Sequence, residues 1–163
     1  MERSDPFAYR LTQLNEAPIR DGDYVLYWMQ QSQRTRCNHA LEYAVYLANQ
    51  QHLPLLVAFA LTPDYPDATS RHYTFMLEGI ADVAAALRDR GIAFVLRMGD
   101  PPGVALDLGR NASVLVCDRG YLRHQREWRY RVGRLASCRV IEVESELIVP
   151  VEAASQKQEY AAR

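Results

Sequence analysis

The sequence predicts an α/β fold, a three-layer doubly wound sandwich in which helices cover both faces of a five-stranded parallel sheet. Five short apolar runs alternate with four helical patterns along the chain, and this alternation is typical of parallel sheets joined by helical crossovers. The runs are apolar throughout, as strands buried on both faces are. Because crossovers between such strands are nearly always right-handed, they favour the doubly wound arrangement.

The predicted strands are rich in Val, Leu, Ile and aromatic residues, which pack well on a pleated surface. They span residues 24–29, 55–61, 92–96, 114–117 and 140–143. Since the strands are parallel, their carboxyl ends meet at one rim of the sheet, where open α/β sheets bind ligands.

Two of the predicted helices follow the first and second strands. The first begins near Cys37, and one of its faces is apolar at 3- and 4-residue spacing: Cys37, Ala40, Leu41, Ala44, Val45 and Ala48. The second runs from about Ser70, as N-cap, to about Arg90, and Gly91 follows it in the left-handed conformation. Its core face consists of Tyr73, Met76, Leu77, Ile80, Ala84 and Leu87.

The other two helices follow the third and fourth strands. Asp100 caps the third, which has Pro101 and Pro102 in its first turn and ends at about Gly109. The fourth spans Leu122 to Leu135, with an inner side formed by Leu122, Gln125, Trp128, Val132 and Leu135.

These elements predict one domain between two polar segments. Residues 1–22 are polar and mixed and form an N-terminal extension, and residues 23–150 form the α/β domain. Residues 151–163 contain few core residues and are typical of a linker, which predicts that the natural protein continues beyond them.

Composition and charge exclude several classes of protein. The chain has 163 residues, 48% hydrophobic content and a net charge of −1, so it has no strong overall field for nucleic acid or membrane. It has neither an apolar stretch of transmembrane length nor a signal peptide near its start. Its three cysteines (Cys37, Cys117 and Cys138) lie in apolar sequence without Cys-x-x-Cys spacing, which predicts buried, reduced thiols in a cytoplasmic protein.

Familiar catalytic motifs are missing. The sequence contains no Gly-x-x-x-x-Gly-Lys loop, no Gly-x-Gly-x-x-Gly after the first strand and no Gly-x-Ser-x-Gly, which argues against Walker-type NTPases, standard dinucleotide binders and serine hydrolases. The histidines lack cysteine or carboxylate neighbours at metal-ligand spacing, so we expect no metal.

Polar residues instead follow the strands at the predicted rim. The candidates for ligand binding are Gln30, Gln33, Arg34, Thr62, Gly99, Asp100, Asp118 and Tyr121, and Asp64 follows the second strand as well. The alternative for each is that it caps a helix or lies in a solvated loop. We expect Asp100 to be mainly a helix cap.

The fourth helix is rich in arginine. Arg123 and Arg126 are candidate contacts for DNA phosphates, because a basic helix can follow a nucleic-acid backbone. A solvated outer face is the favoured interpretation of this run, since arginine dominates the basic residues of the whole chain.

Two segments, one at the end of the first strand and one in the helix that follows, are similar to the N-terminal domain of class II cyclobutane pyrimidine dimer photolyases: Tyr27-Trp28-Met29-Gln30-x-Ser32-Gln33-Arg34 and Asn38-His39-Ala40-Leu41-Glu42-Tyr43-Ala44. Further matches follow in order: Leu53-Pro54, Phe59-Ala60-Leu61-Thr62, Arg71-His72-Tyr73-x-Phe75-Met76-Leu77-Glu78-Gly79, Gly99-Asp100-Pro101, Tyr121-Leu122-Arg123 and Glu159-Tyr160-Ala161-Ala162-Arg163. The resemblance extends from about Leu14 to the last residue.

This resemblance implies a Rossmann-like antenna domain that supports light-dependent DNA repair without catalysing it. In the family, a pigment such as a deazaflavin or a folate sits near the rim, whereas FAD, the lyase reaction and most lesion contacts belong to a helical C-terminal domain. The implied partners are therefore that domain and, through the full-length enzyme, damaged DNA.

One position departs from the family pattern, because Arg119 follows Asp118 where an aromatic residue is common. If this residue lined the pigment pocket, the pocket would be altered. The alternative to the whole interpretation is a stand-alone nucleotide-binding α/β module that acts in stress or signalling.

Overall fold

The computed structural model describes residue 7, residues 9–63 and residues 65–154. Its sheet has six strands in the order β1-β6-β5-β2-β3-β4: β1 (Leu11–Gln13), β2 (Tyr24–Met29), β3 (Leu55–Leu61), β4 (Ala93–Met98), β5 (Ala112–Asp118) and β6 (Arg139–Val143). All neighbouring strands are parallel except β1, which pairs antiparallel with β6.

Helices cover both faces of this sheet, as the sequence predicts. They are α1 (His39–Gln51), α2 (Ser70–Asp89), α3 (Pro101–Gly109), α4 (Arg123–Leu135) and the short α5 (Val151–Ala154). Apolar side chains of α1 and α2 share one core layer with the sheet, and those of α3 and α4 share the other. The predicted three-layer α/β class is confirmed.

The strand count differs from the prediction by one. Leu11–Gln13 lies within the segment interpreted as a polar extension, yet it adds an antiparallel sixth strand, with Leu11 opposite Val143. A three-residue strand is too short to produce a periodic hydrophobic pattern. Its effect is to cover what would otherwise be an open edge of β6.

The first helix begins later than predicted, and Cys37 is exposed rather than buried. Cys37 has a φ of 50° and precedes Asn38, whose Oδ1 accepts a hydrogen bond from the Leu41 N–H at 3.0 Å. An N-cap needs non-helical backbone, so the helix cannot include Cys37. The Asn38 Nδ2 also donates to the carbonyls of Ser32 (3.0 Å) and Arg34 (2.9 Å), which holds the β2–α1 loop against the helix.

Several predicted helix faces are also corrected. Leu77, Leu122 and Leu135 are exposed instead of facing the core. Arg129 belongs to the arginine-rich fourth helix, for whose arginines the sequence favours a solvated face, yet it is only 5% exposed. The hydrophobic pattern predicts the inner side of α4 incorrectly, because α4 buries a charged residue in a polar network. The apolar residues at both of its ends are exposed to solvent.

α2 extends beyond the sheet on which it packs. Its 20 residues correspond to about 30 Å, whereas the 7 residues of β3 span only about 23 Å. Its buried residues Ile80, Val83 and Leu87 all lie in its second half. The first turns therefore project past the carboxyl ends of the strands and form one wall of a cleft.

Membrane-spanning helices and metal-binding clusters are both missing from the described residues. No helix among them is both long and apolar enough to cross a membrane. Within the same ranges, no group of three or more His, Cys, Asp or Glu side chains is arranged to hold a metal ion. Asp64, residues 155–163 and the family-like motif at 159–163 lie outside the described residues.

Candidate binding site

A cleft of about 1070 Å³ opens at the carboxyl ends of β2 and β3, between the first half of α2 and the starts of α3 and α4. Its size is that of a small-molecule site. The lining is largely apolar and aromatic: Trp28, Met29, Phe59, Ala60, Leu61, Tyr65, Tyr73, Phe75, Met76 and Trp128. Four of the predicted site residues, Gln30, Gln33, Arg34 and Thr62, also line it.

Two buried polar side chains in this lining have no hydrogen-bond partner among the described residues. Gln30 is 8% exposed, and both its Nε2 and its Oε1 are unpaired. Trp28 is 1% exposed, and its Nε1 is unpaired as well. Because buried polar groups in folded proteins are nearly always satisfied, these unpaired atoms make Gln30 and Trp28 candidate ligand contacts.

The backbone of Gln30 is held firmly although its side chain is unpaired. Asp118, fully buried at the end of β5, accepts hydrogen bonds from the N–H groups of Gln30 (2.8 Å), Gln31 (2.7 Å) and Ser32. Burial raises the pKa of Asp118, and the three N–H donors oppose this shift. Asp118 therefore shapes the turn that presents Gln30 without lining the cleft itself.

Arg34 lines the cleft, but its guanidinium group is already engaged by the protein. Its Nη1 lies 2.9 Å from Oε1 of Glu146, and its Nη2 donates to the Ser145 carbonyl at 2.9 Å. Ser32 Oγ donates to the same Glu146 oxygen at 2.5 Å. Burial would raise the pKa of Glu146, but the Ser32 hydrogen bond and the Arg34 charge outweigh it and lower the pKa.

Gln33 and Thr62 take part in the loops around the cleft. Gln33 Nε2 donates to the Gln30 carbonyl at 3.1 Å. The Thr62 carbonyl accepts from the Tyr73 hydroxyl at 2.8 Å, and that hydroxyl accepts from the Tyr65 N–H at 3.3 Å. Tyr73 thereby ties the β3–α2 loop to the projecting turns of α2.

Gly99 and Asp100 have structural roles at the start of α3 and do not line the cleft. Gly99 has a φ of 148°, a conformation that favours glycine, and its N–H donates to the Leu61 carbonyl at 2.9 Å. Asp100 caps α3 by accepting from the Gly103 N–H at 3.1 Å, and it pairs with Arg131 at 2.8 Å. This is the helix-cap alternative that the sequence left open.

Arg119 lies in a largely buried polar network on the β1 side of the sheet, and the half-exposed Tyr121 borders this network; neither residue lines the cleft. Arg119 Nε lies 2.6 Å from Glu142, its Nη1 lies 3.6 Å from Glu144, and its Nη2 donates to Thr12 Oγ1 at 2.8 Å. The Tyr121 hydroxyl donates to Glu144; burial, with this hydrogen bond and the carboxylate charge, raises its pKa to about 12. Arg119, which stands where the family commonly has an aromatic residue, is therefore not part of the cleft lining.

Arg129 completes this network from α4. Its Nε pairs with Glu142, and its Nη2 donates to the Gly120 carbonyl at 2.7 Å. Glu142 is therefore held between two arginines, Arg119 and Arg129. The network joins α4, β6 and the β5–α4 loop.

The sequence missed the cleft residues contributed by the β3–α2 loop and α4. Tyr65, His124 and Trp128 form an aromatic cluster, with 4.9 Å between the ring centroids of Tyr65 and His124 and 5.0 Å between those of His124 and Trp128. Comparing the lengths of α2 and β3 would have predicted a projecting helix here. No local motif distinguishes Trp128 from an ordinary core residue.

The charged residues of the cleft are mainly acidic. Asp67, Glu78 and Asp82 contribute carboxylates. Arg34 and His72 are the basic residues of the described lining. Arg34 is paired with Glu146, and Nδ1 of His72 accepts a hydrogen bond from the Thr69 N–H at 3.0 Å, at the start of α2. This balance suits an uncharged ring better than a polyphosphate.

Arg123 and Arg126 are exposed on the outer side of α4. Arg123 Nε lies 3.0 Å from Glu127, one turn along the helix. Neither arginine lines the cleft.

The fold resembles that of universal stress proteins. One from Pseudomonas aeruginosa, described as putative in its own name, aligns with a TM-score of 0.57, 13% identity and coverage of 85% of this chain and 53% of the other. One from Archaeoglobus fulgidus, solved in complex with dAMP, aligns with a TM-score of 0.52, 16% identity and coverage of 74% and 98%. At such identities the likeness is one of fold.

Sequence similarity is much stronger to deoxyribodipyrimidine photo-lyases. That of Methanothermobacter thermautotrophicus is 49% identical over 95% of this chain, and that of Potorous tridactylus is 39% identical over 85%. The matched regions make up 35% and 27% of those relatives, so the chain spans about a third of their length. The model of the DNA photolyase family matches residues 25–163, and the chain therefore belongs to that family.

Proposed function

We propose that the chain is the N-terminal antenna domain of a class II cyclobutane pyrimidine dimer photolyase, a light-dependent DNA-repair lyase. In this proposal the domain acts in the cytoplasm, holds a light-harvesting pigment in the cleft and contributes no catalytic residue. FAD and the repair reaction belong to a helical domain that follows it in the longer enzyme. When bound, the pigment absorbs light and passes the excitation to the flavin.

The observation that carries this proposal is the pair of unsatisfied side chains, Gln30 and Trp28, in an apolar cleft. A planar pigment needs apolar walls for its rings and a few polar groups to fix its orientation. The cleft supplies aromatic side chains such as Tyr65, Phe75 and Trp128 for the first role. Gln30 and Trp28 supply hydrogen-bonding atoms for the second, so the residues present fit either a deazaflavin or a folate.

The alternative function, a nucleotide-binding stress or signalling module, has the universal stress protein fold in its favour. The electrostatics of the cleft argue against it. Phosphate sites present Arg or Lys side chains or glycine-rich loops, whereas Arg34 is committed to Glu146 and three carboxylates line the opening. We therefore expect AMP and ATP to bind weakly or not at all.

We further propose that Arg123 and Arg126 contact DNA phosphates in the full-length enzyme. Both are exposed on α4, a helix that also carries the exposed Arg134. Each phosphate contact releases about one counterion, so this role makes binding salt-dependent.

A chimera tests the proposed function. This chain would replace the N-terminal region of the Methanothermobacter photo-lyase to which it is 49% identical. We expect the chimera to split pyrimidine dimers under blue light. Replacing Arg123 and Arg126 by Gln should lower the salt dependence of DNA binding by about 2 in log–log slope.

The control in this experiment is the FAD content of the purified chimera. A chimera that is folded, carries FAD and still does not repair dimers would contradict membership in a repair enzyme. An unchanged salt slope in the double arginine variant would contradict only the phosphate contacts.

A further inference from the structure

Six apolar side chains are exposed in the two segments that follow β5 and β6. Ile148 is 94% exposed and Val149 is 56% exposed, and the other four are between 39% and 52% exposed. We call this set the apolar patch: Tyr121, Leu122, Leu147, Ile148, Val149 and Val151. Single exposed apolar residues are common on protein surfaces, whereas a cluster of them marks a contact surface.

The buried carboxylate of Glu144 joins the two segments of the apolar patch. Glu144 is 1% exposed. It accepts a hydrogen bond from the Tyr121 hydroxyl in one segment and from the Val151 N–H in the other, the latter at 3.3 Å. Because both segments meet at this carboxylate, the patch is one continuous surface.

The backbone beneath the patch is fixed although the side chains are in solvent. Arg10 Nη1 donates to the carbonyls of Glu144 (3.2 Å) and Leu147 (2.8 Å), and its Nη2 donates to the Ile148 carbonyl at 2.7 Å. The Arg10 carbonyl in turn accepts from the Glu144 N–H at 2.9 Å. Ordinary surface loops are mobile, so an apolar segment held in this way is preorganised for binding.

From these contacts we infer that the apolar patch is the docking surface for the helical domain that follows this chain in the longer enzyme. The inference rests on the proposed function, which supplies that domain. This chain spans about a third of the length of its photo-lyase relatives, so the proposed partner is large. It is tethered through residues 151–163, next to the patch, and a tethered partner has a high effective concentration at an adjoining surface.

The apolar patch adjoins the cleft along the same rim of the sheet. Glu146, which precedes Leu147, pairs with Arg34 at 2.9 Å, and Arg34 lines the cleft. The strand order places β6 and β5 directly beside β2, whose end borders the cleft. Docking on the patch therefore brings the helical domain next to the cleft.

Thiol labelling tests the inference in the chimera with the Methanothermobacter photo-lyase and in the 163-residue chain alone. Ile148→Cys and Leu122→Cys place one thiol in each segment of the patch. Met98→Cys is the matched control, because Met98 is 74% exposed and lies in β4 at the opposite edge of the sheet. The rate of maleimide labelling at each introduced thiol is followed by mass spectrometry of its peptide, in chimeras of equal FAD content.

Both patch thiols should react at least about tenfold more slowly in the chimera than in the isolated chain, since the centre of a well-packed interface excludes solvent. Met98→Cys should react at the same rate in both. Equal rates at positions 148 and 122 in the two proteins would overturn the inference. Protection that arises in the isolated chain as its concentration rises would also overturn it, because the patch would then join two copies.

The same chimera separates this inference from the proposed function, because repair of pyrimidine dimers is scored independently of labelling. Repair with unprotected patch thiols contradicts the docking surface alone. Protection without repair supports the docking surface and contradicts the proposed function alone.

Discussion

Glu142→Leu is expected to lower the free energy of unfolding by about 3–5 kcal/mol, because it leaves the buried Arg129 without a carboxylate partner. Glu142 is 6% exposed and pairs with both Arg119 and Arg129. After its removal Arg119 retains Glu144 at 3.6 Å, whereas Arg129 retains only backbone carbonyls. The measurement is the urea concentration at the midpoint of unfolding, compared between variants whose dependence of the free energy on urea (the m-value) is unchanged.

The double variant Glu142→Leu with Arg129→Leu serves as the control. It removes the second charge along with the first and lets Arg119 pair with Glu144, so it should be more stable than the single variant. Equal or greater loss in the double variant would show that packing volume, and not unpaired charge, causes the effect.

Asp118→Asn should cost about 1–3 kcal/mol of stability at neutral pH. The carboxylate offers only acceptors to the N–H groups of Gln30, Gln31 and Ser32. Asparagine replaces one acceptor oxygen by an N–H₂ donor, which opposes at least one of these backbone donors. Because the turn then loses its shape, pigment affinity should fall as well.

Asp107→Asn is the matched control for this change. Asp107 is an exposed carboxylate on α3 that pairs with Arg97 at 2.7 Å. Exposed ion pairs of this kind contribute little, so its loss should cost less than about 1 kcal/mol. If the two variants are equally stable, Asp118 does not organise the β2 turn.

The strands were the most predictable part of the fold. Residues 24–29 and 55–61 match β2 and β3 to the residue, because continuous apolar runs bounded by polar residues are a strong signal for buried strands. β1 was missed because Leu11–Gln13 is stabilised by pairing with β6. Such a pairing depends on residues far away in sequence and leaves no local pattern.

The candidate site could be predicted only in part. Gln30, Gln33, Arg34 and Thr62 follow β2 and β3, whose ends border the cleft, and so strand-end position was sufficient to find them. Asp118 and Asp100 follow strands too, but their hydrogen bonds to backbone N–H groups decide their roles. The aromatic wall depends on how far α2 projects, which is a tertiary property.

A titration of the chain with 8-hydroxy-5-deazariboflavin tests most directly whether the cleft holds a light-harvesting pigment. The protein has two tryptophans, Trp28 and Trp128, and both line the cleft, so quenching of their fluorescence reports binding there. Gly79→Trp is the blocked control, because Gly79 lines the cleft and an added Cβ meets nothing within 4 Å.

We predict saturable binding of one pigment per wild-type chain and strongly weakened binding to Gly79→Trp, followed for that variant by the pigment's own fluorescence anisotropy. Absence of binding to a folded wild-type chain, or equal affinity of the blocked variant, would contradict the claim.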